Sequence, residues 1–81
     1  MEEDYSWVIR GKQRKKILKS MTKEKIPTEI KEDTKLSLNN VSDVLREFRK
    51  KKIVECLNPK EKTGRLYKLT LKGMRIREML D

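Results

Sequence analysis

Asn39, Ser42, Asp43, Arg46 and Lys50 stand at spacings that bring an amide, a hydroxyl, a carboxylate and two cations to one side of an α-helix. Such groups hydrogen-bond base edges in the major groove of a DNA duplex. Asn39 has the geometry for an adenine and Arg46 for a guanine, whereas Asp43 either accepts from a cytosine or holds Arg46 or Arg49 in place. Ser42 is a further base-reading candidate, Asn40 lies at the border of the face, and Lys50 suits a phosphate. Lys60, Lys62 and Arg65 fall in the turn-forming stretch N-P-K-E-K-T-G-R, a charged loop that can follow the sugar-phosphate backbone or enter a minor groove. Thr28, beside Pro27, is placed either to cap a helix or to meet a phosphate at that helix's free N–H groups.

Helical periodicity must position the first of these groups. Val41, Val44, Leu45 and Phe48 recur at i, i+3, i+4, i+7 and supply a buried stripe, so the polar face points outward. With Ser37 as N-cap, the spacing predicts a helix over about 37–51. Pro27 fits the first turn of a short preceding helix, 27–32, with Ile30 inward, a turn over 33–35 and Leu36 closing the corner. Upstream, a helix over 12–21 turns Ile17, Leu18 and Met21 inward, and Ile26 is expected to pair as a one-residue edge strand. The cluster Arg10, Lys12, Arg14, Lys15, Lys16 and Lys19 reads either as a solvated helix face or as a phosphate-contacting surface.

Residues 53–57 and 66–69 are strand formers on either side of the charged loop, predicting a β-hairpin with its basic tip at 58–65. Cys56 reads as a small buried hydrophobe within the first strand. Thr70 is the N-cap of a closing helix, 70–81, whose Leu71, Met74, Ile76, Met79 and Leu80 cover more than one stripe. That surplus is expected to pack on a second copy, giving a homodimer in which Trp7 also has a place. The alternatives are a closing helix folded on its own body and a Trp7 that plugs the edge of the core. Residues 1–6 carry three acids and little to bury, and are expected to be a frayed tail.

The stretch L-S-L-N-N-V-S-D-V-L-R-E-F-R-K-K-K-I-V-E resembles the recognition helix of winged helix-turn-helix transcriptional regulators, and L-Y-K-L-T-L-K-G at 66–73 resembles the strand and helix start that follow their wing. The resemblance runs from about Gly11 onward and is to small single-domain regulators of archaeal type within the MarR/ArsR-like superfamily. It implies an α+β fold in one domain over 1–81: a three-helix core, a two-stranded β-hairpin wing and a C-terminal helix. It also implies sequence-specific binding of double-stranded DNA, with the helix at 37–51 in the major groove and the wing at 58–65 on the backbone or in the minor groove. Lys52 departs from the glycine that the family places where this helix stops in a left-handed conformation.

Composition narrows the remaining choices. There is no histidine, the lone Cys56 cannot form an internal disulfide, and no acid–base pair, nucleophile arrangement, glycine-rich phosphate loop or metal-ligand spacing occurs, so neither an enzyme nor a metal, cofactor or small-molecule ligand is expected. The net charge of +9 suits a polyanion, and residues 35–77, with thirteen basic and four acidic side chains, hold all of it. An acidic start and the lack of a long apolar run predict a cytoplasmic protein without a membrane segment. Two rival functions stand beside the regulator. A winged-helix protein-interaction module in a transcription or replication assembly needs neither a wing nor a base-reading face; single-stranded nucleic acid needs exposed aromatics, and Tyr5, Trp7, Phe48 and Tyr67 are scattered.

Overall fold

α4 (Leu38–Lys50) is the element around which the fold closes, with Val41, Val44, Leu45 and Phe48 all buried. The computed structural model describes residues 2–80; Met1 of the expected tail and Asp81 of the expected closing helix lie outside them. Before α4 come α1 (Glu2–Ile9), α2 (Lys12–Ser20) and α3 (Pro27–Thr34); after it come β1 (Val54–Cys56), β2 (Tyr67–Leu69) and α5 (Leu71–Met79). β1 and β2 are antiparallel, with Val54 opposite Leu69 and Cys56 opposite Tyr67. Val8 of α1, Ile17 and Leu18 of α2 with Met21 at its end, Ile30 of α3, Ile53, Val54, Tyr67 and Leu69 of the hairpin region and Ile76 of α5 form one core with the α4 stripe.

α4 starts as expected, the Ser37 hydroxyl accepting from the Asn40 N–H at 3.2 Å. Its end is a Schellman turn: the Lys52 N–H donates to the Arg49 carbonyl and the Ile53 N–H to the Phe48 carbonyl, with Lys52 in the left-handed region at φ 65°. A lysine thus stands in the conformation that glycine takes at least cost. α5 then closes over this corner. Thr70 caps α5 through the Gly73 N–H, and its hydroxyl donates to the Lys52 carbonyl at 2.6 Å. Gly73 is needed here because a Cβ on it would lie 2.1 Å from the Ile53 carbonyl oxygen.

Four expectations are corrected. Residues 2–6 belong to α1 rather than to a frayed tail. Acids in the first turn suit the helix dipole, Val8 is fully buried, and the Asp4 carboxylate pairs with Lys72 at 2.6 Å and Lys51 at 3.9 Å. The edge-strand residue is Lys25 rather than Ile26, exchanging both backbone hydrogen bonds with Tyr67 at 3.0 and 2.9 Å. Ile26 is the N-cap of α3, and its N–H is already taken by the Glu29 carboxylate at 3.0 Å. α3 runs on to Thr34, the turn to α4 being made by Lys35 at φ 63° and Leu36. Cys56 is half-buried rather than buried, its thiol 3.6 Å from the Asn58 side-chain oxygen.

Lys25 is also a buried cation, and its ammonium donates to the Ser20 carbonyl and the Asp33 carboxylate. It ties the end of α2, the last turn of α3 and the edge of β2 together. Trp7 engages the chain's own residues: its ring meets Phe48 edge-on at 5.8 Å, with the Arg14 guanidinium 4.2 Å and the Lys51 ammonium 4.7 Å from its centre. The aromatic therefore plugs the edge of the core between α1, α2 and α4.

Candidate nucleic-acid interface

The amphipathic period that buries the α4 stripe turns Asn39, Asp43, Arg46 and Lys50 outward, and all four are exposed. On one side of this crest lies a groove of about 490 Å³ bounded by the start of α3, by α4 and by the hairpin tip. Thr28, Ser42, Arg46, Lys62 and Arg65 line it, so five of the residues singled out from the sequence converge on one surface. Pro27 presents Thr28 in the first turn of α3, where the side chain is exposed and Glu29 supplies the cap. Ile26, Pro27, Leu38 and Tyr67 give the groove its apolar lining.

The other five candidates are distributed differently. Asn39 and Lys50 stand on the crest and Lys60 on the hairpin, all exposed and outside the groove. Asn40 and Asp43 line a cleft on the opposite flank, shared with Glu47 and with Arg10, Lys12 and Arg14 at the α1–α2 corner. Asn40 is 100° around the helix from Asn39, which carries it off the crest. Asp43 accepts from Arg46 at 3.1 Å, the second of the two roles open to it in the sequence.

Hairpin geometry presents the basic tip. The Asn58 side-chain oxygen accepts from the Leu66 N–H at 2.7 Å, and its amide donates to the Gly64 carbonyl, so one side chain clamps both limbs of the loop. Gly64 takes φ 64°, a conformation natural to glycine in such turns. Arg65 is partly committed, its Nε donating to the Glu61 carbonyl at 2.7 Å, which holds the guanidinium against the loop.

Arg49, Leu38, Thr63 and Gly64 are groove residues that sequence reasoning missed as site residues. For Arg49 a signal existed: it follows Ser42 by seven residues and Arg46 by three, the spacing of one helix face. Its position in the last turn also suits the helix dipole, and that structural role masked the other.

Electrostatics divide the cations into two sets. Lys51 and Lys72 share the Asp4 carboxylate, which the Lys72 hydrogen bond and the charges of Lys72 and Lys51 hold below the usual aspartate range against a smaller opposing push from burial. Lys72 also donates to the Lys51 carbonyl at 2.7 Å. At the groove, by contrast, the only ion pair of Arg46, Arg49, Lys62 and Arg65 among the described residues is Arg46 with Asp43, two-thirds exposed on both sides. Among those residues no group of three or more acids, cysteines or histidines could hold a metal ion, and no helix is long and apolar enough to cross a membrane.

Neither a protein-family model nor a curated protein matches the chain. Among solved structures, the reduced form of MarR from E. coli is similar, with a TM-score of 0.77 and 31% identity over 95% of this chain. The chain spans 59% of the length of that MarR chain. Among the described residues, five helices and a two-stranded antiparallel sheet in this order make the α+β winged-helix fold of MarR, and the resemblance to winged helix-turn-helix regulators carried by residues 36–55 and 66–73 holds over nearly the whole chain.

Proposed function

Proceeding from this MarR-like winged helix, we propose that the chain is a transcriptional regulator that binds double-stranded DNA sequence-specifically, α4 entering the major groove and the hairpin 58–65 lying on the backbone or in the minor groove. The observation that carries the reading is the groove between α4 and the wing, where Ser42, Arg46, Arg49, Lys62 and Arg65 meet and where, among the described residues, only Arg46 has an ion pair, an exposed one with Asp43 outside the groove. At 13 residues α4 is about 20 Å long, and an α-helix, about 10–12 Å across with its side chains, fits a major groove about 12 Å wide. Asn39, Ser42 and Arg46 are its base-reading side chains; Thr28, Lys50, Lys60, Lys62 and Arg65 contact phosphates, and Asn40 serves the border. Asp43 holds Arg46 until a guanine replaces it. The pair given up is weak, about 0.2–0.5 kcal/mol for exposed charges three or four residues apart on a helix, and a bidentate arginine–guanine contact discriminates against a wrong base by about 1–3 kcal/mol.

Residues 1–81 form one domain of this cytoplasmic regulator, which acts as a homodimer through α5. Leu71, Met74 and Met79 support that assembly, since they are 64%, 43% and 46% exposed on a helix whose Ile76 already fills the core. Selection from a randomised duplex pool at two salt concentrations tests the function. Enrichment of a palindrome whose binding falls steeply with salt is expected. Retention without enrichment contradicts sequence-specific reading, and no retention at low salt replaces it with a protein-interaction module.

A further inference from the structure

A second basic surface lies apart from the groove. α2 holds five cations and no acid in nine residues, with Lys12 in a first turn where the helix dipole favours carboxylates. Ile17 and Leu18 are buried, and directly opposite them Lys12, Lys16 and Lys19 rise at i, i+4, i+7 as an exposed ridge. Like charges at these intervals oppose the helix, and among the described residues no acid pairs with any of the three. Arg77 adds a further cation at the ridge's end, where its guanidinium donates to the Lys19 carbonyl at 2.9 Å. Asp43 and Glu47 share a cleft with Lys12, and Asp33 one with Lys16 and Lys19, yet none of these acids forms an ion pair with the three lysines among the described residues, so the helix has a pattern suited to an external polyanion.

The ridge and the groove are separate surfaces. No α2 residue lines the groove, and between the first turn of α2 and the crest of α4 runs the cleft that holds the Asp43 and Glu47 carboxylates. One phosphate backbone lying across both basic surfaces would have to pass those two acids.

We propose that Lys12, Lys16 and Lys19 on the outer face of α2 bind the phosphate backbone of a second DNA duplex segment while α4 engages the first, so that one protein molecule bridges two stretches of DNA. The inference rests on duplex binding by α4. Binding of this kind is electrostatic and indifferent to sequence.

The test uses the full chain and a variant carrying Lys12→Gln, Lys16→Gln and Lys19→Gln. A labelled mixed-sequence duplex is captured by the protein on a bead-bound duplex, and binding to one duplex is titrated separately. Wild type is expected to retain the labelled duplex, with retention falling as salt rises. The triple variant should lose at least about tenfold of that bridging while holding single-duplex affinity within about threefold, because each phosphate left without its lysine takes roughly 0.9 off the salt slope of the second site alone. It should melt no lower than wild type, since its like-charge pairs are gone. Bridging that persists in the triple variant overturns the proposal, as does a wild type that binds one duplex and never bridges. A wild type that binds no duplex at low salt overturns this inference and the proposed function together.

Discussion

Cations serve opposite purposes at the outer face of α4 and at its C-terminal corner. At the corner, Lys51, Lys72 and Arg14 are held by the Asp4 carboxylate, the Trp7 ring and backbone carbonyls, and Thr70 ties the same turn to α5. At the outer face, Arg46 has one exposed partner, and Arg49 and Lys50 have no ion pair among the described residues. Both regions adjoin one helix and draw on the same residue types. Enclosed by α1 and α5, lysine and arginine become struts of the fold; left facing a groove, they keep their charge for a ligand.

Changes at the corner should therefore cost stability and leave binding by folded molecules intact, while changes at the outer face should do the reverse. Gly73→Ala is the severest test of the first half. The new methyl meets the Ile53 carbonyl, forcing α5 off the corner, and chemical denaturation should show a loss of about 3 kcal/mol, the upper end of ordinary overpacking. Trp7→Ala comes next. It empties a half-buried site beside Phe48 and removes two cation–ring interactions, for an expected loss of about 2 kcal/mol in the same measurement. Duplex affinity corrected for the folded fraction should stay near wild type in both variants.

Lys52→Gly should act in the opposite direction, raising stability by about 1 kcal/mol by removing a side chain from a left-handed position. An unchanged or lower unfolding midpoint would mean that the lysine's own interactions outweigh its backbone cost. Asp4→Asn should be the mildest, about 1 kcal/mol or less at neutral pH, and it carries a pH signature. Because the folded Asp4 carboxyl lies below the usual aspartate value, its contribution is complete above that value. As pH falls, the unfolded chain takes up the proton first, and the stabilisation is lost on the way down to the depressed folded value. The acid limb of a stability–pH curve should be shallower in Asp4→Asn than in wild type.

Much of this division was legible in the sequence. The four-residue apolar stripe fixed the inner and outer faces of α4, Ser37 and Thr70 marked helix starts by their capping chemistry, and strand formers around N-P-K-E-K-T-G-R defined the hairpin. The corner was illegible because its logic is non-local. Asp4 meets Lys72 across 68 positions of the chain, and nothing near residue 4 marks a carboxylate that is to be clasped. The acid-rich start accordingly read as a tail. Lys25 was hidden in the same way, since a lysine between two helices reads as a solvated connector until Ser20, Asp33 and Tyr67 are brought to it. In the groove, Arg49 was overlooked because one position satisfies two rules, the dipole and the face, and only packing shows which surface it joins.

The most direct measurement is a titration of wild type and Arg46→Ala against the duplex selected from the random pool and against a scrambled duplex, alongside the unfolding free energy of each protein. Stability should be unchanged, binding to the selected site should weaken by about 1–3 kcal/mol, and discrimination between the two duplexes should relax. Equal losses on both duplexes would contradict base reading by Arg46, and a loss of stability in place of binding would contradict the division between the two regions of α4.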